Sequence, residues 1–321
     1  MKSSIINIFL SIFEHIDKIN NKIFFNKVKN IAKLSSVSLI DIGSSYDIQP
    51  RWKKIKKKLI YHGFEPNVKL HDDLINKNND CLNYHVYPYL ISNEKNKIEL
   101  NLCKNPGVSS IFKPNYKFLS KFKNYERFEI IKKINLESNY LDNIGIKHAD
   151  FIKIDIQGAE LNALHGSVHT LKETIGLEIE VEFQKMYEKQ PLFGDIDQFL
   201  REQEFEFIDF LIMKRWERKK INSYGQLIFA DALFLRSPEY ANKNYDAFKM
   251  SKYILILLLY NKFDLIDECN LERFYNKQEL EKIKKIIAFF KKKNNIARLI
   301  NSISTGFSKM LGNEYKSHLF N

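Results

Sequence analysis

The sequence predicts an α/β fold in which a mostly parallel, seven-stranded sheet carries helices on both faces. Strand-like apolar segments alternate with amphipathic helical segments from residue 37 to residue 205, the order typical of parallel sheets. The segment DFIKIDI at 150–156 is almost continuously apolar, as expected of a strand that is covered on both faces. Two strand-like segments, 205–212 and 226–235, follow each other without a helix between them. They predict an antiparallel hairpin at one edge of the sheet.

The first elements begin with VSLID at 37–41, a short apolar strand that ends in an acid. A basic-faced helix is predicted at 50–58, because Pro50 suits the first turn of a helix. The second strand is LIYHGF at 59–64. Further strands are predicted at 83–91, 97–102 and 128–136.

The later elements are a short helix at 136–146, the strand 150–156 and a helix from Ala159 to Thr170. A strand at 175–183 and a helix at 195–205 precede the terminal hairpin. From Ser237 onward the pattern is helical. One amphipathic helix there is marked by Leu280, Ile283, Ile287 and Phe290.

The amino-terminal segment repeats apolar residues at helical spacing, at Ile5, Phe9, Ile12, Ile16, Ile19 and Ile23. We therefore divide the chain into an amphipathic helix (1–34), a sheet domain (35–236) and a helical extension (237–321). Docking of the terminal helices onto the sheet domain is favoured over two alternatives, a homo-oligomer formed through them and peripheral contact with a membrane.

Composition excludes several classes of protein. With 321 residues, 44% of them hydrophobic, the chain is neither a disordered tail, a collagen-like repeat nor a disulfide-stapled miniprotein. The cysteines, Cys81, Cys103 and Cys269, are odd in number and far apart, which predicts reduced thiols in a cytoplasmic protein. The start lacks a small-residue cleavage site, and the run YILILLLY at 253–260 is shorter than the roughly 20 residues of a spanning helix. No export or membrane-spanning segment is therefore predicted.

The net charge is +12, from 51 basic and 39 acidic residues. Such an excess can indicate a nucleic-acid or anionic partner. A chain rich in Lys, Ile and Asn can also reflect the base composition of its gene, and this interpretation is favoured. Lys clusters at 53–58, 214–220 and 291–293 can attract anionic acceptors or be solvated surfaces.

Acidic residues follow three of the predicted parallel strands. Asp41, Glu65 and Asp155 stand at strand ends, and such ends meet at the mouth where open sheets bind ligands. The first turn has a single glycine, Gly43, instead of G-x-G-x-x-G, and Asp47 would repel a phosphate. Glu65 lies 24 residues beyond Asp41, where an acid can bind ribose hydroxyls. S-adenosylmethionine, which has ribose and positive charge but no phosphate, fits this mouth better than NAD; the alternative is that Asp41 and Glu65 cap helices.

Five segments together closely resemble the FkbM family of S-adenosylmethionine-dependent methyltransferases. They are DIGSS at 41–45, GFEPN at 63–67, NPGVSSIF at 105–112, DFIKIDIQGAELNALHGS at 150–167 and IGLEIEVEF at 175–183. The resemblance covers about residues 37–236, and its most specific element is K-I-D-x-x-G-A-E. It implies a Rossmann-like class I methyltransferase fold. Tyr46 and Asp47 depart from the small residues that often follow D-x-G in the family.

The resemblance also implies an activity, O-methylation of a hydroxyl. The acceptor would be a sugar of a polysaccharide or glycan precursor, free or linked to a nucleotide or lipid, or a secondary metabolite. By the resemblance, Asp41, Gly43 and Ser44 line the methionine half of the cofactor and Glu65 holds the ribose. Ser92 is a candidate near the adenine.

The resemblance places Asp155 near the amino group, the acceptor or a metal; a divalent metal is not predicted. Glu160 either faces the mouth or favours the positive end of the next helix. The segment with Ser109 and Ser110 is either a loop that contacts substrate or an ordinary turn.

A base near the acceptor would help an alcohol to lose its proton. Asp155 is the first candidate, followed by Glu178, Glu180 and His62. Glu178 and Glu180 share one face of a buried strand, which indicates contact with substrate or metal, or else pairing with basic side chains. His165 and His169 have metal-ligand spacing, but Gly166 interrupts their helix and no third ligand is evident. Surface histidines are therefore favoured there.

Two other functions are alternatives. A nucleic-acid methyltransferase would agree with the charge, but DIQG at 155–158 replaces the Asn/Asp-Pro-Pro-aromatic element that usually accompanies base methylation. A specific nucleic-acid partner is therefore not predicted. A non-catalytic scaffold that keeps the fold is the other alternative, on account of Tyr46-Asp47 and the long helical ends.

Overall fold

The computed structural model describes residues 19–44, 47–77, 81–218 and 225–310. Most of the predicted amino-terminal helix, and Tyr46, lie outside these residues. The strands within these ranges are β1 (Val37–Ile42), β2 (Leu59–Phe64), β3 (Asn83–Tyr87), β4 (Leu90–Ile91), β5 (Lys97–Cys103), β6 (Ile130–Asn139), β7 (Phe151–Ile154), β8 (Gly176–Glu182), β9 (Glu206–Trp216) and β10 (Gln226–Leu235).

Seven strands form the main sheet, in the order β3-β2-β1-β7-β8-β10-β9. Neighbours from β3 to β8 are parallel, whereas β10 runs antiparallel to both β8 and β9. The predicted mostly parallel, seven-stranded sheet with a terminal hairpin is thus confirmed. The register sets Asp41 of β1 between Gly63 of β2 and Lys153 of β7, which brings the acidic end of β1 beside both neighbours.

A second sheet, β4-β6-β5, corrects three predicted elements. The segment 83–91 is two strands in different sheets, because Pro88 follows β3 and cannot donate to a ladder. The strand predicted at 97–102 is β5 and lies in the second sheet, which the sequence did not predict. Residues 136–139 continue β6, and the helix predicted at 136–146 is limited to Leu141–Ile144. Cross-strand pairing with β5, including an ion pair of Lys133 and Glu99 at 2.6 Å, overrides the local helical pattern.

The helices are α1 (19–28), α2 (Pro50–Lys53), α3 (Val68–Lys77), α4 (Tyr116–Leu119), α5 (Leu141–Ile144), α6 (Glu160–His165), α7 (Val168–Glu173), α8 (Phe193–Glu202), α9 (Pro238–Asn244), α10 (Ala247–Leu259), α11 (Phe263–Asp267) and α12 (Lys277–Met310). The helix predicted at 50–58 ends early, and a 3-10 turn follows at Lys56–Lys58. The helix predicted at 159–170 is broken at Gly166. A Cβ there would lie 2.1 Å from the carbonyl oxygen of Ser92, so the close approach requires glycine.

Each face of the main sheet has its own buried layer. Alternate residues of β1, such as Ile40 and Ile42, pack against α6, α7 and α8, whereas Val37 and Leu39 pack against α10. The run 253–260 is almost completely buried in this second layer. It is therefore a core helix, and in the described part of the chain no helix is long and apolar enough to span a membrane.

The second layer joins residues of all three predicted segments, including Phe24 and Val28 of α1 and Phe290 of α12. The division at 34 and 236 stays a prediction. Cys81, Cys103 and Cys269, all among the described residues, form no disulfide bond.

Candidate active site

A cavity of about 740 Å³ opens at the carboxyl ends of β1, β2 and β7. Parallel strands bring these ends together, although the residues are far apart in the chain. The predicted site residues that line it are Asp41, Gly43, Ser44, Glu65, Ser109, Asp155 and Glu180. Those that do not line it are His62, Ser92, Ser110, Glu160 and Glu178.

Asp41 lies near the end of β1, in a buried network of side chains. Its carboxylate accepts a hydrogen bond from the Tyr61 hydroxyl at 2.9 Å and pairs with Lys153 Nζ at 3.4 Å. Lys153 Nζ also lies 3.7 Å from Asp155. Burial alone would lower the pKa of the Lys153 ammonium, but the carboxylates of Asp41 and Asp155 raise it above its ordinary value. Lys153 is therefore a fixed cation between two acids of the mouth.

The turn after β1 requires glycine. Gly43 has a φ of 87°, and a Cβ there would lie only 2.0 Å from the carbonyl oxygen of Asp155. The backbone N–H groups of Gly43 and Ser44 both donate to the carbonyl oxygen of Phe64 at 3.1 Å. The turn therefore draws the ends of β1, β2 and β7 together and leaves backbone along the cavity wall.

Glu65 follows β2 and is buried at the cavity wall. Its Oε1 accepts a hydrogen bond from the backbone N–H of Asn67 at 2.8 Å, and its own N–H donates to Tyr87 at 3.0 Å. These bonds fix the backbone and one carboxylate oxygen. The arrangement is suited to holding a diol such as the ribose 2′- and 3′-hydroxyls.

Asp155 and Glu180 lie beside each other across Gln157. The Gln157 amide nitrogen donates to Asp155 at 3.1 Å and to Glu180 at 2.7 Å. The side chain of Asp155 is 38% exposed, whereas Glu180 is buried. Burial raises the pKa of Glu180 well above its ordinary range, and the charges of Asp155 and Glu160 raise it further. The site thus pairs an accessible carboxylate with a buried one that holds its proton more tightly than an ordinary glutamate does.

Glu160 is behind the cavity, in the first turn of α6. Its Oε1 accepts from the backbone N–H groups of Ile156 at 2.9 Å and Gly158 at 3.2 Å. Burial raises the pKa of Glu160 to about 7, although these two hydrogen bonds lower it. Of the two predicted positions, the structure places Glu160 at the helix start, where it fastens the 155–158 turn.

Glu178 does not line the cavity, and its carboxylate accepts three hydrogen bonds. Its carboxylate accepts from Gln49 at 2.9 Å, Arg51 at 2.6 Å and the Tyr260 hydroxyl at 2.7 Å. The Arg51 guanidinium also stacks 4.0 Å over the Tyr260 ring. Glu178 is therefore a buried acid that pairs with a basic side chain, the second of the two explanations considered above. These contacts tie α2 and the end of α10 to β8.

His62 and Ser92 lie outside the cavity lining. His62 stacks on His85 at 5.3 Å and contacts the Tyr87 hydroxyl at 3.2 Å. Burial lowers the pKa of His62 to about 4, and His85 acts in the same direction. Ser92 is buried with its N–H on Asn139, one residue beyond the lining residue Ile91. Their catalytic and adenine-binding roles stay predictions.

The 105–112 segment is attached to the cavity at two points. Ser110 Oγ donates to the carbonyl oxygen of Gln157 at 2.7 Å, and Ser109 Oγ accepts from the Cys103 N–H at 3.1 Å. The Tyr187 hydroxyl donates to the carbonyl oxygen of Val108 at 2.9 Å. The segment therefore forms a fixed wall, with Ser109 at the lining and Ser110 behind it.

The remaining part of the wall is mostly apolar and was not predicted from the sequence. It includes Val108, Ile111, Phe128, Ile134, Leu136, Met186, Trp216 and Phe229, with the cations Arg127 and Lys214. Lys153 and Gln157 belong to the segment 150–167 that carries the resemblance, but sequence analysis gave them no role. Lys153 had a readable signal, a lone charge within an otherwise apolar strand, whereas the apolar wall depends on distant segments that meet at the cavity.

The described ranges contain no group of three or more His, Cys, Asp or Glu side chains that could hold a metal ion. His165 and His169 lie on successive helices, α6 and α7, and the His165 ring packs on Phe199 at 4.7 Å.

A family model described as the methyltransferase FkbM domain matches residues 41–207, just over half of the chain. The match runs from the end of β1 to the start of β9 and includes every predicted site residue. A comparison with curated proteins finds no match.

Comparison with solved structures gives distant likenesses. The methyltransferase FkbM from Methylobacillus flagellatus KT is 14% identical, with a TM-score of 0.39 over 62% of this chain and 43% of that one. The present chain thus spans less than half of that protein. Magnesium protoporphyrin IX methyltransferase from Synechocystis PCC 6803, solved with bound SAM, is 8% identical, with a TM-score of 0.34 over 69% and 79%. Precorrin-6y C5,15-methyltransferase from Geobacter metallireducens GS-15 is 7% identical, with a TM-score of 0.33 over 67% and 89%.

Proposed function

The chain belongs to the FkbM methyltransferase family, and on this basis we propose that it transfers the methyl group of S-adenosylmethionine to a hydroxyl oxygen of a sugar. The observation that carries this proposal is the meeting of Asp41, Glu65 and Asp155 in one cavity. The acceptor sugar would belong to a polysaccharide or glycan precursor, or to a secondary metabolite.

The residues at the cavity fit this donor. Glu65 is placed to accept from ribose hydroxyls, and the cradle at Gly43 lets backbone approach closely, since a Cβ there would strike Asp155. The methionine portion has an ammonium and a carboxylate. Asp41 matches the ammonium, and Lys153, which pairs with Asp41 at 3.4 Å, matches the carboxylate. The acids also suit a positively charged sulfonium.

The cofactor, when bound, supplies an electrophilic methyl carbon. The chain must then place an acceptor oxygen in line with that carbon and exclude water. The wall formed by the 105–112 segment is suited to this, because Ser110 and Tyr187 fasten it over the 155–158 turn and the cavity. Its apolar side chains leave few groups that could hold a competing water.

A carboxylate of the Asp155–Glu180 pair takes the hydroxyl proton. Asp155 is the first candidate, because its side chain is partly exposed at the lining, whereas Glu180 is buried. The Gln157 amide donates to both and fixes where their oxygens lie. A general base positioned in this way typically contributes 10²–10⁴-fold to the rate.

Transfer of isotope-labelled methyl groups tests the proposal. Purified protein is incubated with methyl-labelled S-adenosylmethionine and, in parallel, with a cell-envelope glycan fraction or total RNA. We expect label in the glycan fraction, and loss of it with Asp155→Asn. Label in RNA would favour the nucleic-acid alternative. Binding of the donor without label in either fraction, or absence of donor binding by the folded protein, would favour a scaffold.

A further inference from the structure

The apolar half of the cavity contains a guanidinium without an anion. Arg127 lies in the 3-10 turn Tyr125–Phe128 and lines the cavity. Its Nε is buried and donates to no acceptor in the part of the chain that the structure describes. Within the same ranges no carboxylate contributes to its electrostatic surroundings; the Tyr187 hydroxyl is the group that raises its pKa.

The surroundings of Arg127 hold its guanidinium in place. The group stacks 4.6 Å over the Trp216 ring and 5.1 Å over the Phe128 ring, and these two rings pack at 6.0 Å. The Arg127 carbonyl oxygen also accepts from the Asn105 N–H at 3.0 Å. With the faces of the guanidinium on aromatic rings, its N–H edge is the part left for a ligand.

The cations Lys153 and Arg127, the latter half-buried, differ in their partners. Lys153 pairs with Asp41 and Asp155, and its pKa is raised. Burial lowers the pKa of Arg127, because no carboxylate offsets the loss of water. A desolvated charge without a counterion is costly. An anion delivered by a ligand would remove that cost.

A second cation stands at the same end. Lys214 of β9 lines the cavity and pairs in register with Phe229, which packs in one cluster with Phe128, Met186 and Trp216. This part of the wall therefore combines two positive charges with aromatic and aliphatic surface. A neutral polyol would leave the Arg127 guanidinium without an anion.

We propose that this half of the cavity binds an acceptor sugar that carries an anionic group, a phosphate or a carboxylate, and that Arg127 donates to that group. The proposal rests on the methyltransferase function proposed above and names its acceptor class. Guanidinium groups bind both anions in a bidentate, charge-assisted way. The aromatic side chains cover the apolar faces of the sugar ring or of an attached group.

Three sugars test the proposal: methyl glucoside, glucose 1-phosphate and methyl glucuronide. Their affinities are measured by calorimetry with the wild-type protein, with and without S-adenosylhomocysteine. We expect at least one charged sugar to bind about tenfold or more tightly than the neutral one, as the loss of a charge-assisted pair predicts. The phosphate and uronate arms distinguish the two anions. Equal affinities, or binding of none of the three, overturn the proposal.

Variants assign the preference to Arg127. Arg127→Gln should abolish it and Arg127→Lys should keep part of it, because lysine retains the charge but not the planar fork. Lys132→Gln is the matched control, since Lys132 is exposed on β6 and outside the lining. Thermal unfolding checks that each variant is folded. A preference that survives in Arg127→Gln overturns the proposal.

The two proposals fail separately. S-adenosylhomocysteine should bind all these variants with wild-type affinity, because Arg127 is in the acceptor half. If S-adenosylhomocysteine does not bind the wild type but the charged sugars still bind more tightly than the neutral one, the methyltransferase proposal fails and the anion subsite stands. If S-adenosylhomocysteine binds and the preference for charged sugars is absent, the anion subsite fails and the methyltransferase proposal stands.

Discussion

Glu180 accepts a hydrogen bond from the Gln157 side-chain amide at 2.7 Å. The same nitrogen donates to Asp155 at 3.1 Å, so one neutral side chain joins carboxylates from two strands. The Gln157 amide oxygen lies 3.2 Å from the Tyr187 hydroxyl and shares its single proton with the Val108 carbonyl oxygen. The backbone of Gln157 has a φ of 56°, which few residues other than glycine adopt. The two carboxylates of the proposed base are therefore fixed by the turn between β7 and α6.

Asp155→Asn should lower turnover much more than donor affinity. The amide can still accept from Gln157, but it cannot take a proton. We expect kcat to fall about 10²–10⁴-fold, with the calorimetric Kd for S-adenosylmethionine little changed. Equal losses in both would assign Asp155 to donor binding instead.

Gly43→Ala should destabilise the protein and abolish donor binding. The new Cβ would lie 2.0 Å from Asp155 O at a φ of 87°, and strained backbone of this kind costs on the order of 1–3 kcal/mol. Denaturant unfolding and donor calorimetry measure the two effects.

Two glycine controls separate the causes. Gly145 has a φ of 79° but open space around its Cβ position, so Gly145→Ala should show strain alone. Gly194 in α8 has open space and no left-handed φ, so Gly194→Ala should be neutral or stabilising. Wild-type stability in Gly43→Ala would contradict the close approach.

Glu160→Gln should flatten the pH dependence of stability. The pKa of Glu160 is raised from 4.5 to about 7, so between these values the folded state binds more protons than the unfolded state. Stability must therefore fall as pH rises through that window, and the loss is complete above it. Glutamine still accepts from Ile156 and Gly158 but does not titrate.

The free energy of unfolding is measured from pH 4.5 to 8. It should decline less in Glu160→Gln than in wild type, whereas in the exposed control Glu188→Gln it should decline as much as in wild type. An unchanged slope in Glu160→Gln would be contrary evidence.

Tyr260→Phe should weaken the attachment of the carboxyl-terminal helices without affecting chemistry. It removes a 2.7 Å hydrogen bond to buried Glu178, while the ring keeps its packing on Phe151 at 5.2 Å. Hydrogen bonds to charged groups contribute about 1.5–3 kcal/mol, and we expect a loss of that size in unfolding free energy. Donor affinity and kcat should stay at wild-type values; a selective loss of kcat would return Glu178 to the list of catalytic groups.

The fold was largely predictable because the spacing of apolar residues differs between strands and helices, and segments of the two kinds alternate along the chain. The helix predicted at 136–146 is limited to Leu141–Ile144 because residues 136–139 extend β6, where Glu137 pairs with Lys97 of β5. No local pattern records that pairing. The main sheet, by contrast, follows from local signals that agree with its topology.

Site residues were predictable where strand ends determine them. Asp41, Glu65 and Asp155 meet because their strands are parallel and adjacent. Alternation alone could not separate Glu178 from Glu180, because the partners of Glu178 are Arg51 and Tyr260, far away in the chain. Arg127 is equally hidden, since its setting is made by Trp216 of a distant strand.

Calorimetric titration of S-adenosylmethionine into wild type and Glu65→Ala tests the central claim most directly. We expect binding by the wild type and a loss of about 1.5–3 kcal/mol in the variant, roughly 10- to 150-fold in Kd, with Glu65→Gln between them and Lys132→Gln equal to wild type. Folded wild-type protein that does not bind the donor, or a Glu65→Ala variant that binds it with undiminished affinity, would contradict the account.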